Sequence, residues 1–257
     1  MTTRDRLAGL FGGALAGIAG GLFGVGGGLV LVPVLTGFFR LTQHQAHGTS
    51  LAVISATAIT GIIVYGAYSN VVWPIAALAA IGTLFTAHLG ARLASRWTAR
   101  KLRRAFALFL ALVALRLLWK VPEIETHAGL QGLAGLGVSL LLGLAAGYLS
   151  GLMGVGGGII VVPALTMLFG LSQQAAQGTS LAVMLVTAPR ATIEHSRHGN
   201  VVWPIVPMLA VGAALGAPLA SWSAQGLRHD ALVRAFALFL LATSIHTWLR
   251  TETAKES

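Results

Sequence analysis

Cysteine is absent from this 257-residue sequence, and charged residues are scarce. Without cysteine, the chain forms no disulfide, has no thiol nucleophile and offers no thiolate ligand to a metal. Asp, Glu, Lys and Arg together make up 9% of the residues, whereas soluble domains contain about 25%. The mean hydropathy is +0.81. These values predict an all-α polytopic membrane protein in contact with the lipid bilayer, with roughly 8 to 10 membrane segments and no sizeable soluble domain.

Acidic residues are rarer than basic ones, with 7 Asp and Glu against 17 Lys and Arg. The basic residues lie in short segments beside apolar stretches, where they indicate membrane topology and not a nucleic-acid surface. We therefore expect no nucleic-acid partner. Arg4 and Arg6 precede the first apolar stretch in the manner of a signal peptide. Because an equivalent of this stretch recurs in the middle of the chain, we interpret it as a retained first helix.

A long internal repeat is the dominant feature that the sequence does contain. Residues 24–53 read GVGGGLVLVPVLTGFFRLTQHQAHGTSLAV, and residues 154–183 read GVGGGIIVVPALTMLFGLSQQAAQGTSLAV. The same offset of 130 residues relates the two copies of NVVWPI, which begin at Asn70 and Asn200. The pattern predicts two transmembrane repeats, residues 1–125 and 126–257, within one membrane domain.

The second apolar stretch of each repeat is too short to cross a membrane alone. Residues 29–39 form a run of 11 residues, which is about 16 Å of helix against a bilayer core of about 30 Å. Three glycines precede each run, and Pro33 or Pro163 interrupts it. We expect a short, broken or re-entrant helix. If it returns to its starting side, most basic residues gather on one face, which favours inverted-topology repeats with both termini in the cytoplasm.

Inverted repeats with interrupted helices are typical of secondary transporters, in which helix starts face an anionic substrate near the membrane midplane. GVGGG exposes backbone N–H groups ahead of a helix, and GTSL places Thr and Ser at a predicted helix start, so both motifs suit an anion. Alternatively, the glycines serve close helix packing and the threonines are N-caps. The candidate substrate-binding residues in these motifs are Gly26, Gly27, Gly28, Thr49, Ser50, Gly156, Gly157, Gly158, Thr179 and Ser180.

The two repeats also differ at positions that bear on function. Ile59, Thr60, Val64 and Tyr65 of the third apolar stretch correspond to Pro189, Arg190, Glu194 and His195. Arg190 and Glu194 are four residues apart, so they share a helix face and can pair. Ionisable residues within membrane segments indicate function: we expect Arg190 to attract the anion, and Glu194 or His195 to accept a coupled proton. The alternative is a neutralised pair near the cytoplasmic end, with His195 exposed to water.

A further difference precedes GTSL, where His47 in the first repeat corresponds to Gln177 in the second. These two residues are candidates for an asymmetric polar pair at the substrate, or else interfacial loop residues. Asn70 and Asn200 are expected to cap the helices that follow them.

Other chemistries find little support in the sequence. Neither GVGGG segment is followed by the Lys-Ser or Lys-Thr of a phosphate-binding loop. His195 and His198 lack both the HExxH spacing and further carboxylates that a zinc site requires. No Ser-His arrangement has a useful spacing. We therefore predict no enzyme activity, no cofactor and no metal.

At these motifs the chain resembles the sulfite exporter TauE/SafE family of membrane permeases. The resemblance depends on the paired GVGGG segments ending in VP, the paired Q-x-x-A-x-GTSLAV segments and NVVWP downstream, and it covers nearly the whole chain. It implies export or import, across the plasma membrane, of small sulfur-containing anions such as sulfite, sulfoacetate or other organosulfonates.

Two alternatives to such a secondary transporter stay open. One is a passive anion channel through the same repeat interface, and the other is a transporter of a non-sulfur carboxylate or other anion. The sequence also leaves open the direction of transport, proton coupling, and whether the chain forms a homo-oligomer.

Overall fold

The computed structural model describes residues 3–122, 124, 132–153 and 156–253. These residues form ten α-helices and one 3-10 turn, and no strand occurs among them. Six of the helices are long and apolar enough to cross a membrane. The predicted fold class, an all-α polytopic membrane protein, is confirmed. The predicted boundary between the repeats, at residues 125 and 126, lies outside the described residues.

The helices follow the same order in both repeats. The first repeat contains α1 (Thr3–Phe23), α2 (Gly28–Gly37), α3 (Gln43–Ala67), α4 (Trp73–Arg96) and α5 (Ala99–Trp119). The second contains α6 (Gly132–Met153), α7 (Gly158–Leu168), α8 (Gln173–Arg197), α9 (Val206–Gln225, after a 3-10 turn Trp203–Ile205) and α10 (His229–Thr253).

The second helix of each repeat is short, as the sequence predicts. Helix α2 has 10 residues and α7 has 11. Each follows a glycine N-cap, Gly27 or Gly157, with φ of 84°, a left-handed conformation that is readily open only to glycine. Neither helix can cross a bilayer core of about 30 Å.

The third helix of each repeat begins earlier than expected. Thr42 is the N-cap of α3 and forms a capping box with Gln45, while the Ser172 side chain accepts a hydrogen bond from the Ala175 amide at the start of α8. GTSL therefore lies about two turns inside each helix. Its placement at a helix start was wrong, as was the alternative that Thr49 and Thr179 are N-caps.

The predicted asparagine caps were also wrong. The N-caps of α4 and of the 3-10 turn before α9 are Val72 and Val202, without a side-chain hydrogen bond. Asn70 instead donates from Nδ2 to Gln225 Oε1, at 2.6 Å. The asparagine thus joins the end of α3 to the end of α9.

The two repeats are interlocked through pairs of helices. Helix α1 packs along α9, and the equivalent pair is α6 along α4. The contact is made by glycines one turn apart that lie against the backbone of the partner helix: Gly13, Gly17 and Gly21 against Leu209, Ala213 and Ala217, and Gly143, Gly147 and Gly151 against Ala79, Thr83 and Ala87. A Cβ at these glycines would collide with the facing backbone, so small residues set the close approach of the helices.

Helices α3 and α8 cross at the centre in opposite directions. Gly48, near the start of α3, packs against His195 near the end of α8. Gly178, near the start of α8, packs against Tyr65 near the end of α3. Helices α3 and α8 are thus antiparallel, and the beginning of each lies beside the end of the other.

Candidate functional site

Gly26 and Gly156, one from each GVGGG segment, meet at the middle of the α3–α8 pair. A Cβ on Gly26 would lie 2.6 Å from Ile54 Cγ2 and 2.9 Å from Met184 Sδ, and one on Gly156 would contact the same two side chains at 3.1 and 3.2 Å. Ile54 and Met184 occupy equivalent positions and are fully buried. We call these two side chains the central closure. It fills the space between the glycine segments of the two repeats.

The short helices begin beside this closure. Gly28 and Gly158 are the first residues of α2 and α7, and Gly158 packs against the Met184 side chain and the Gly24 carbonyl. The first amides of a helix have no partner within the helix and carry its positive dipole end. The structure therefore brings the predicted glycines together around one central point, with two helix starts beside it.

Two polar stripes, one on α3 and one on α8, run from the helix starts to the closure. The members of each stripe share one face of their helix and are at most 6% exposed: Gln43, His47 and Ser50 on α3, and Gln173, Gln177 and Ser180 on α8. Spacings of three and four residues place side chains on the same face of a helix. The alternative that His47 and Gln177 are loop residues is therefore wrong.

The hydrogen bonds around His47 define its tautomer. Arg103 Nη2 donates to Gln43 Oε1 at 3.2 Å, so the Gln43 amide nitrogen faces His47 Nε2, at 2.7 Å. An amide nitrogen only donates, which makes His47 Nε2 the acceptor and leaves the hydrogen on Nδ1. His47 Nδ1 is buried and has no hydrogen-bond partner among the described residues. The backbone of Leu152 lies near this ring but forms no hydrogen bond of normal geometry with Nδ1, so Nδ1 is a donor available within the polar stripe of α3.

Gln177 has different surroundings. The Tyr65 hydroxyl lies 2.9 Å from Gln177 Oε1 and 2.8 Å from the Gly21 carbonyl, whereas Gln177 Nε2 is buried without a partner in the described part of the chain. No hydrogen bond joins His47 to Gln177. The two residues lie on opposite sides of the central closure, next to His195 and Tyr65 respectively.

The hydroxyl residues of GTSL hold backbone groups. Thr49 Oγ1 accepts from the Val202 amide at 3.0 Å, and Thr179 Oγ1 accepts from the Val72 amide at 2.9 Å. Ser180 Oγ donates to the Gly24 carbonyl at 2.8 Å, and Ser50 Oγ donates to the His47 carbonyl at 2.9 Å. Thr49, Thr179 and Ser180 thus connect helices and loops around the closure, whereas this bond of Ser50 lies within α3.

Glu194 belongs to an ion-pair cluster and not to a pair with Arg190. Its carboxylate is 4% exposed and lies 3.4 Å from Arg92 Nε, 3.4 Å from Arg197 Nη1 and 3.5 Å from His198 Nε2. Arg190 is partly buried and makes no hydrogen bond or ion pair with the described residues. The i,i+4 spacing allowed the predicted pair, but the carboxylate turns toward α4 and the last turn of α8.

His195 is buried, in contrast to the alternative that water surrounds it. It is 1% exposed, and its Nε2 lies 3.0 Å from the Gly151 carbonyl, to which it can only donate. Tyr65, its equivalent in the first repeat, contacts the Gly21 carbonyl in the same way. Among the described residues, no group of three or more His, Asp or Glu side chains is placed to hold a metal ion.

Sequence reasoning missed several residues of the site. Gln43 and Gln173 extend the polar stripe by one helical turn, and Arg103 from α5 reaches Gln43. The two glutamines could have been found in the sequence, because each lies four residues, about one helical turn, before His47 or Gln177. Nothing local in the sequence indicates the contact of Arg103, which is 60 residues from Gln43.

Long apolar helices, interlocked repeats and a buried polar stripe interrupted by an apolar closure define a multi-pass membrane protein with a central site between its repeats. The model of the family described as sulfite exporter TauE/SafE matches residues 2–117 and 130–257, and the chain belongs to this family of membrane transporters.

Relatives of similar length support the same class. The chain is 28% identical over 251 residues to "Probable membrane transporter protein YunE" of Bacillus subtilis, with 89% of this chain and 92% of that protein covered. It is 29% identical over 254 residues to "Probable membrane transporter protein" of Xylella fastidiosa strain 9a5c, with 96% of each chain covered. No solved structure matches.

Proposed function

We propose that this protein is a secondary transporter that exports small sulfur-containing anions, such as sulfite, sulfoacetate or other organosulfonates, by alternating access to a central site. The observation that carries the proposal is the pair of polar stripes that approach one central closure from opposite ends of the α3–α8 pair. A site reached from either end in turn is what alternating access requires. The protein acts as a transporter and not as an enzyme.

The anion is bound mainly by neutral donors in this mechanism. The starts of α2 and α7 beside the closure supply backbone amides, His47 supplies its unused Nδ1 donor, and Arg190 adjusts the charge from α8. Neutral donors and helix starts stabilise an anion without a buried cation, whose desolvation is costly. The substrate lies between Gly26–Gly28 and Gly156–Gly158.

Transport requires the closure to open on one side at a time. Ile54 and Met184 touch the glycine segments of both repeats, so a small movement of α2 or α7 separates one contact while the other is kept. Antiparallel placement of α3 and α8 accords with repeats of inverted topology in the membrane, with both termini in the cytoplasm. If the closure opened on both sides at the same time, the protein would act as a passive channel.

Proton coupling is assigned to His195 in preference to Glu194. Two arginines and His198 surround Glu194, and such partners favour the ionised carboxylate. His195 is buried beside Gly48, near the start of α3, and a histidine changes charge near neutral pH more readily than other side chains.

The test is flux of sulfite, sulfate, sulfoacetate, acetate and chloride in liposomes that contain the purified protein. Saturable sulfite flux that other sulfur anions inhibit, and that a pH gradient drives against the sulfite gradient, supports the proposal. Flux that never saturates and never exceeds equilibrium identifies a channel. Flux of acetate without flux of any sulfur anion identifies a carboxylate transporter.

A further inference from the structure

Two polar recesses occupy related positions at opposite ends of the protein. The Arg116 recess, a cavity of about 160 Å³, is lined by Arg116, Lys120, Pro122, Thr166, Met167, Leu168 and Gly170. The Arg103 recess is narrower, about 20 Å³, and is lined by Val32, Pro33, Thr36, Gln43, Arg103, His246 and Thr247. The repeat offset of 130 residues relates Thr36 to Thr166, and Arg116 to His246. The recesses are therefore counterparts in the two repeats.

Both recesses carry positive charge. Arg116 and Lys120 line one, and Arg103 lines the other together with His246. No acidic residue is among the described residues that line either recess. A concave surface with one sign of charge concentrates ions of the opposite sign and accelerates their association. The charge of both recesses favours a small anion, and the Arg103 recess, which at about 20 Å³ holds about one water, must widen to admit it.

The Arg103 recess continues into the polar stripe of α3. Gln43 lines the recess and is itself 6% exposed. Its amide group accepts from Arg103 on one side and donates to His47 on the other. His47 then presents its unpartnered Nδ1 toward the interior. One buried glutamine thus connects a cation at the recess with His47 in the polar stripe of α3.

The Arg116 recess reaches the stripe of α8 through a histidine. His229 Nε2 donates to the carbonyl of Pro122, a lining residue, at 2.9 Å, and His229 Nδ1 accepts from the Gln173 amide at 2.9 Å. The Gln173 side chain is 1% exposed, and its Nε2 has no partner among the described residues. Gln43 lines the Arg103 recess directly, whereas the Arg116 recess is linked to Gln173 through His229 and the Gln173 backbone amide.

We propose that the two recesses are reception sites for the transported anion, one at each face of the membrane. This inference depends on the proposed function and deepens it, because it assigns where a small oxyanion binds before it reaches the centre. Since α3 and α8 start at opposite ends, an anion leaving one recess travels along α3 and an anion leaving the other travels along α8. The two sites serve the same ligand on opposite sides.

Sided transport kinetics test the assignment. Sulfite is supplied to right-side-out or to inside-out membrane vesicles that contain the full chain. Arg116→Gln with Lys120→Gln should raise the half-saturating sulfite concentration about 3- to 10-fold at one face only, most strongly at low salt, because neutralising such charges mainly slows association. Arg103→Gln should do so at the other face only. Equal effects at both faces, or none, would overturn the proposal.

Control variants distinguish the charge of the recesses from a folding defect and from lipid binding. Arg234→Gln removes an exposed cation at the same end as the Arg116 recess without touching it, and it should change neither face. Arg103→Lys keeps the charge and should recover most of the loss, which excludes a folding defect.

In liposomes of neutral lipid the effects of the recess variants should persist, and their disappearance would assign the recesses to anionic lipid headgroups instead. Absence of sulfite flux in the wild type would overturn the proposed function, whereas normal flux with unaffected variants overturns the recesses alone.

Discussion

Thr49 of the first repeat accepts a hydrogen bond from the backbone amide of Val202 in the second, at 3.0 Å. Thr179 and Val72 repeat the contact in the other direction, at 2.9 Å. Each amide lies just before the fourth helix of its repeat and has no helical partner of its own. The third helix of one repeat thus fixes where the fourth helix of the other begins, on both sides of the central closure.

Removal of either threonine hydroxyl should destabilise the protein. Thr49→Val leaves the partly buried Val202 amide without its acceptor, and the cost is at most that of a fully buried unsatisfied donor, about 1–3 kcal/mol. Thr179→Val should lower the melting temperature in detergent by a similar amount, because its contact is equivalent. Thr49→Ser keeps the hydroxyl and should stay close to the wild type. A Thr49→Val protein that melts like the wild type would contradict the assigned role.

Enlargement of a glycine at the α1–α9 contact should disrupt assembly. Gly17→Ala places a Cβ against the Ala213 carbonyl, and overpacking of this kind costs about 1–3 kcal/mol. We expect a lower yield of monodisperse protein by size-exclusion chromatography and a lower melting temperature. Gly137→Ala is the matched control, because a Cβ at Gly137 of α6 meets nothing within 4 Å. Equal losses for both variants would refute the packing argument.

Truncation of the central closure should produce a leak. Met184→Ala removes a fully buried side chain that touches both glycine segments, so anions should pass without the saturation of the wild type. The same cavity should destabilise the fold by about 2–5 kcal/mol. The measurement is passive anion efflux from liposomes, with Ile63→Ala, at a position 66% exposed on α3, as control. Unchanged efflux from a folded Met184→Ala protein would exclude the closure as a barrier.

Substitutions at His47 should show whether its N–H donor binds the substrate. His47→Gln introduces the residue that the second repeat carries at Gln177, so it keeps an N–H donor and should retain sulfite transport within a few fold. His47→Leu removes the donor and should weaken apparent affinity about 10-fold or more, since a hydrogen bond to a charged group contributes about 1.5–3 kcal/mol. Concentration-dependent flux measures both. Equal behaviour of the two variants would exclude His47 as a substrate contact.

Glu194→Gln should affect stability more than proton coupling. The variant leaves Arg92 and Arg197 without their carboxylate partner, so the melting temperature should fall, while uphill transport driven by a pH gradient should persist. His195→Gln should abolish uphill transport driven by a pH gradient, with a smaller change in melting temperature. Loss of proton coupling in Glu194→Gln, with coupling intact in His195→Gln, would reverse the assignment.

The short helices could be predicted from the sequence because their determinants are local. A run of 11 apolar residues behind three glycines admits few other interpretations. The apolar run alone predicts too late a start for α3, whereas the pattern T-x-x-Q at Thr42 and Gln45 indicates the capping box where the helix begins. Apolar content identifies the membrane core of a helix, and capping residues identify its end.

The partners within the site could not be predicted because they are distant in sequence. Tyr65 and Gln177 are 112 residues apart, and Arg92 and Glu194 are 102 apart. Helix periodicity suggests Arg190 as the partner of Glu194. In the structure, however, the packing of α8 against α4 turns the Glu194 carboxylate toward Arg92. Comparison of the repeats did identify His47, Gln177 and His195 as residues of interest, since the repeats differ there while the surrounding motif is the same.

The pairing of α1 with α9 also has a consequence for biosynthesis. Helix α1 ends at Phe23 and α9 begins at Val206, so about 180 residues must be added before its partner exists. At about 5–20 residues per second, this takes about 10 to 40 s. During that time the glycine face of α1 has only lipid or other helices to contact. The α1–α9 contact can therefore close only after most of the second repeat has been translated, and the packing of α10 on α5 follows later still.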